Sequence, residues 1–365
     1  MVEFSQDPHL SKLPHPLRAQ TCLAPFLTAI EKSIGTREWQ VVCNAFRSPD
    51  FLLANLPQLI DENQLRRFGS FFETAAHAPG GTELGGAMAS LVGIRHLVSP
   101  YWLFRVEDKL VELLGMTDMD ADIPVSFLKL PFRRCFVELG QRRDIDAVVP
   151  NDVSGLHVLE GAYLEEGRHP ARGNGIYVLM SGSPMGKEHC MDDATHAVFL
   201  STENPDLPLT QALDNAFYIA QEQSSQGGYN VPERATFDQA VRNLQWLIKA
   251  LLYIGLPEAR TSLHAERAEL EEQLKHSKSS SKRAKLLRRI GRVCDTVVVH
   301  APALPSAPSL TVAEEHALRA AHWRRGHYRR QAHGPMMQLR KLIFVAPMYV
   351  SGADNATETK TYIVR

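Results

Sequence analysis

The chain has little cysteine and no arrangement of it that could staple a fold. Its five cysteines, Cys22, Cys43, Cys135, Cys190 and Cys294, are odd in number, far apart and never form a C-x-x-C pair. That excludes a disulfide framework and a thiolate zinc cluster, and leaves reduced, mostly buried thiols. A long apolar run is also missing. The most apolar segment, Trp246 to Leu256, spans eleven residues and contains Lys249, well short of the roughly 20 residues that cross a bilayer. It reads as a core helix. Met1 to Leu10 carries Glu3, Asp7 and His9 where a secretory leader needs continuous apolar residues, so a soluble protein of the cytoplasm without membrane partners is expected. An excess of one charge is lacking as well: 40 Lys and Arg against 41 Asp and Glu give a formal charge of −1, which argues against a surface uniformly coated for nucleic acid. G-x-S-x-G, H-E-x-x-H and Cys/His patterns of diagnostic spacing are absent. The catalytic residues are therefore unassigned, an enzyme is the less favoured reading, and neither cofactor nor metal is expected.

What is present is an ordinary globular composition, 44% hydrophobic and 22% charged over 365 residues, with length for two or three domains or one large body. From Leu17 to Gly115 apolar residues such as Leu23, Phe26, Leu27 and Ile30 recur three and four apart, predicting a helical N-terminal lobe over 1–118. Its last helix is expected at Tyr101 to Leu114, with Leu103, Val106, Leu110, Leu113 and Leu114 on one stripe. A mixed body over 119–365 follows. Strands are expected at Val125 to Leu130, Cys135 to Leu139, Leu156 to Leu164, Ile176 to Met180 and Ala197 to Leu200, with Gly-rich breaks that favour antiparallel meanders over a Rossmann-like order. Helices are expected at Leu209 to Gln223 and Pro232 to Tyr253. The stretch Glu258 to Arg292 reads as a broken helical hairpin or a loop. Strands at Thr296 to His300, Leu342 to Val350 and Thr361 to Val364, and a short helix from the capping pattern at Thr311 to Glu314, close the chain. The fold class is α+β: a helical lobe packed on a mainly antiparallel sheet completed by the C-terminal strands.

Charge is segregated. Between Lys275 and Arg292 lie eight Lys or Arg and no acid, and between His316 and Lys341 seven Lys or Arg, four His and no acid. Within the second region, which opens the basic and aromatic segment 316–350, Trp323, Arg324, Arg325, His327, Tyr328, Arg329 and Arg330 interleave guanidinium groups with aromatic rings. Such groups stack on bases or rings and grip phosphate or carboxylate in pairs, which makes them the candidate peptide- or RNA-binding residues. The competing reading makes Trp323 and Tyr328 core anchors and the arginines a solvated rim. Spacings of five and six between His322, His327 and His333, beside arginines, do not suit a metal. His189 to His196 matches no ligand spacing and reads as a loop, and Gly80 to Gly86 lacks the Gly-Lys-Ser/Thr of a phosphate loop. Glu160, Glu165 and Glu166 lie on or beside predicted strands, without a sign of which pairs converge.

Arg324-Arg325-Gly326-His327-Tyr328, a downstream Gly and a basic residue entering an apolar strand with Pro347 resemble the end of the type V-A anti-CRISPR family, in its second-named member group and homologues. Tyr101-Trp102, an acidic linker, Pro124 to Pro131 and Cys135-Phe-Val137 resemble the family's central segment, and Trp246 to Tyr253 falls in the corresponding place. The first hundred residues and the insert at Lys275 to Arg292 carry none of this resemblance. It implies a phage or mobile-element protein, acting in the cytoplasm of a bacterial host cell, that recognises the nascent N-terminal peptide of a type V CRISPR effector, near the ribosome, and lowers its expression through loss of its mRNA. The alternative read from the residues is an RNA-binding protein or ribonuclease using the basic C-terminal third. A structural or assembly protein of a phage is a third class.

Overall fold

A computed structural model describes residues 13–48, 102–119, 122–140, 147–151, 155–169, 172–184, 194–226, 234–290, 293–303 and 322–350, with isolated positions between 59 and 95. The expected turn at Gly80 to Gly86, most of the loop at His189 to His196, the helix at Thr311 to Glu314 and the strand at Thr361 to Val364 lie outside these residues, as does much of the expected N-terminal lobe.

The fold is α+β, built on an eight-stranded sheet. The strands are β1 (Trp102–Val106), β3 (Arg134–Glu138), β4 (Val148–Asn151), β5 (Gly155–His169), β6 (Gly173–Pro184), β7 (Ala194–Ser201), β8 (Arg260–His264) and β9 (Thr296–His300). They run in the order β7-β6-β5-β3-β1-β9-β8, with β4 beside β5. The long strands β5, β6 and β7 form the expected antiparallel meander. The centre differs: β1 pairs in parallel with both β3 and β9, so the sheet is mixed.

That centre corrects one expectation. Tyr101 to Leu114 is not one helix; β1 is followed by α3 (Asp108–Gly115), with Glu107 extended between them. The Glu107 N–H donates to the Val299 carbonyl, and its carboxylate accepts the Ala301 N–H. Leu103 and Val106 fit a helical stripe by spacing alone. In the strand they face opposite sides, Leu103 joining one buried cluster and Phe104 with Val106 another. A segment buried on both faces loses the alternation that marks a strand in sequence.

Val125 to Leu130 is likewise not a strand. Val125–Phe127 is a turn of 3-10 helix whose Val125 and Ser126 N–H groups donate to Leu207 and Pro205 carbonyls. Prolines at 124 and 131 bracket the segment and remove donors a ladder would need.

One face of the sheet packs against α3, α4 (Leu209–Gln226) and α5 (Arg234–Ile254), both long helices lying where periodicity places them. Leu244, Leu247, Ile248 and Leu251 of α5 meet Val137, Leu159, Ala162, Leu164, Val178 and Met180 of the sheet in one continuous core. The other face carries α1 (His15–Ile34) and, at its margin, α2 (Thr36–Arg47). Glu258 to Arg292 resolves as β8, unforeseen, and a helical hairpin of α6 (Glu266–His276) and α7 (Ser280–Ile290).

The described strands from 322 to 350 do not extend the large sheet. β10 (His322–Arg324) pairs with β13 (Met348–Val350), while β11 (Gly326–His333), β12 (Leu339–Val345) and the short β2 (Thr117–Asp118) make a separate three-stranded sheet. Of the two expected closing strands that are described, Thr296 to His300 joins the main sheet and Leu342 to Val350 does not. Among the described residues, no helix is long and apolar enough to cross a membrane, and Cys43, Cys135 and Cys294 are free thiols.

Candidate binding site

The basic segment is a β ribbon seated on the turn between α3 and β2. Two glycines allow the close approach. A side chain on Gly326 would meet Pro347, Thr117 Oγ1 and the Val345 carbonyl at 2.7–2.8 Å, and a Cβ on Gly115 would lie 2.8 Å from the Trp246 ring. The Gly326 N–H donates to the Met116 carbonyl at 2.9 Å. The chain passes from one small sheet to the other at Arg325, the single residue between β10 and β11.

Tyr328 fixes the ribbon. Its side chain is fully buried, packs on Phe344, and donates its hydroxyl to the Lys249 carbonyl on α5 at 2.5 Å. Burial pushes its phenol well above the ordinary value, so it is a neutral anchor rather than a group open to a ligand. The backbone of Trp323 pairs with Tyr349. Arg324, Arg325, Arg329 and Arg330 are exposed and His327 is partly so. Arg325 lies 3.1 Å from Asp118, both more than half exposed, and Arg330 donates weakly to the Asp122 carbonyl at 3.4 Å.

Strand alternation divides the exposed residues. His327, Arg329, Gln331 and His333 share one face of β11, opposite Val345, Ile343, Lys341 and Leu339 of β12. Arg324 and Arg325 instead border a shallow groove of about 260 Å3 with Gly115, Met116 and Pro347. Sequence reasoning grouped seven residues; the structure brings two of them to the groove, puts others along the ribbon and buries Tyr328.

It also adds residues that the motif did not contain. Lys249 Nζ lies 5.6 Å from the centre of the Trp246 ring and 3.3 Å from the Leu114 carbonyl at the end of α3. Burial lowers its pKa, with Arg325 acting in the same direction and Asp118 against it. The available signal was a lysine inside the most apolar helix. The Asp118–Arg325 pair had no signal, because 207 residues separate the two and only folding brings them together.

The ribbon's tip is apolar and strained. Gly334, Met336 and Met337 have φ of 75°, 50° and 57°, and Met336 and Met337 are 83% and 63% exposed; left-handed backbone at non-glycine residues is uncommon and costs energy. β12 has β11 on one side, and among the described residues no strand pairs with its other edge. Within the same set, no cluster of three or more His, Cys, Asp or Glu is placed to hold a metal.

The described residues thus make an α+β body carrying a docked cationic ribbon, one strand edge of which pairs with no other described strand. Comparison with family models then supplies the identity: residues 104–352 match the AcrVA2-like family, the anti-CRISPR type V subtype A2 family. The chain belongs to that family. The match opens within β1 and ends just beyond β13, so it takes in the sheet, α3 to α7 and the ribbon, and leaves out α1 and α2. Comparison with curated proteins finds no match.

Proposed function

We propose that this anti-CRISPR protein lowers the amount of a type V CRISPR effector by capturing the effector's nascent N-terminal peptide at the ribbon, with loss of the message being translated. The observation that carries this reading is the edge of β12, unpaired among the described residues, on the same ribbon as the Arg324–Arg325 groove. An extended peptide adds to a strand edge through main-chain hydrogen bonds, which give affinity independent of sequence, while adjoining pockets read alternate side chains. The exposed guanidinium groups suit an acidic side chain or the peptide's carbonyl oxygens, and the Met336–Met337 tip suits an apolar one.

Arg324, Arg325, Arg329 and the tip methionines are the contact residues in this reading; Tyr328 holds the ribbon in place. The test is Arg324→Ala with Arg325→Ala in one chain. Both side chains are exposed, so folding stability stays within about 0.5 kcal/mol of the parent, while peptide affinity measured by calorimetry and effector knock-down measured in translating cells both fall. A folded double variant that binds and inhibits like the parent sinks the assignment.

A further inference from the structure

We infer that the α6–α7 hairpin is an RNA-binding arm whose α7 face takes backbone phosphates. The hairpin interrupts the connection between the edge strand β8 and its neighbour β9, and its helices pack chiefly on each other. Leu270, Leu286 and Ile290 with Leu274 and Val293 give it a small core separate from the main one. The Asp295 carboxylate caps α6 from outside by accepting the Arg267 and Ala268 N–H groups at 3.0 and 3.1 Å. Arg283 closes the other end, donating to the Leu274 and Ser277 carbonyls.

With its ends capped and its apolar residues turned inward, the arm presents charge. Helix α7 carries five cations, Lys282, Arg283, Lys285, Arg288 and Arg289, all exposed, and no acid. Lys282, Lys285 and Arg289 recur three and four apart, with Arg288 beside them, which makes a strip along the helix. The acids of α6 are largely engaged locally: Glu271 with Arg267, Glu272 with Lys275 and His276, Glu266 with Arg289. Among the described residues no carboxylate pairs with Lys282, Lys285 or Arg288.

The chemistry of the strip selects its partner. A membrane-binding helix needs an apolar face beside its cations, whereas Leu286 and Ile290 are buried and only Leu287 is open. A protein partner needs aromatic or aliphatic anchors at the centre of the contact, and α7 has no aromatic residue. Closely spaced cations of one sign, with the single open leucine Leu287 among them, match a phosphate backbone, where each contact releases a counterion. Glu269 and Glu272 of α6 share a groove with Lys282 of α7; the two carboxylates repel phosphate, which directs the strand to the α7 side of that groove.

This inference is independent of peptide capture and is tested on the full chain with a fluorescent single-stranded RNA 20-mer, by anisotropy across a salt series. The parent binds, with a log–log salt slope of about −2 from the three unpaired cations at about −0.7 each. In the variant Lys282→Glu, Lys285→Glu, Arg288→Glu, the Kd rises about tenfold or more at low salt and the slope falls by about 2. The milder Lys282→Gln, Lys285→Gln, Arg288→Gln loses the same slope, and serves should charge reversal impair folding. A parent that fails to bind RNA, variants that match the parent in affinity and slope, or a parent that binds phosphatidylserine vesicles instead, overturns the proposal. Peptide affinity of the same variants, unchanged from the parent, separates this outcome from the fate of the ribbon.

Discussion

The two faces of the large sheet are stabilised by different chemistry. The face under α3, α4 and α5 is an apolar core whose residues run from Phe104 to Leu342, whereas the face under α1 has a small cluster, Leu103, Phe136, Tyr163 and Leu179, set among buried polar groups. There the Arg18 guanidinium pairs with Glu160 and Ser183, His15 stacks on Phe136 and hydrogen-bonds the Tyr163 hydroxyl at 2.9 Å, and Arg95 pairs with Glu165 at 2.8 Å. The apolar face lies within the family match and α1 lies outside it. Apolar burial is non-directional and tolerates repacking; buried ion pairs demand one geometry, and removing a partner leaves a desolvated charge. The N-terminal helix therefore adds directional polar contacts to the burial of Leu17, Ile30 and Ile34, whereas the body rests on apolar area.

The largest expected effect comes from breaking the polar face at its centre. Glu160→Ala removes the carboxylate that the buried Arg18 guanidinium meets and costs about 3–5 kcal/mol in denaturant unfolding, whereas Arg18→Met with Glu160→Leu recovers much of that loss. A double variant as unstable as the single would show that shape, not charge pairing, seats α1. On the apolar face Leu164→Ala costs about 2–5 kcal/mol, through lost transfer energy plus the residual cavity. Its unfolding should stay a single transition across the body.

Smaller effects sharpen the comparison. Tyr328→Phe removes the hydroxyl's bond to the Lys249 carbonyl and costs about 1 kcal/mol; hydrogen exchange should then rise in β11 and β12 before it rises in β5 to β7. Glu138 gives a pH effect of known sign. Burial raises its pKa, outweighing the neighbouring Arg105 that lowers it. With the folded value above the unfolded 4.5, the folded state binds the proton more tightly, so the buried charge is a penalty present above the folded pKa and relieved as pH falls through it toward 4.5. Glu138→Gln should raise Tm at pH 7, and the gain should shrink toward pH 4.5; a gain that grows on acidification reverses the sign.

How much of this was legible depended on where each signal lay. Helices α4 and α5 follow from periodicity because each buries one face. The β5–β7 meander follows from β-branched runs cut by glycines. Strand β1 was hidden because it is buried on both sides, and β8 because its burial is slight throughout. The site was partly legible: the run of arginines announced an exposed cationic segment, while its aromatic residues left open whether Tyr328 binds or anchors, and the fold decides that by burying it.

By itself the sequence determined the α+β class, the long helices, the segregation of charge and the motifs by which the family is recognised, since these rest on local pattern and residue type. Only the tertiary structure decided that β1 sits between two parallel neighbours, that the ribbon docks on α3 and α5, that Arg325 meets Asp118, and that Arg18 reaches Glu160 across 142 positions. Those contacts join residues far apart in the chain. Their partners are selected by packing geometry and by the need to satisfy each buried polar group, and neither is written in any local window.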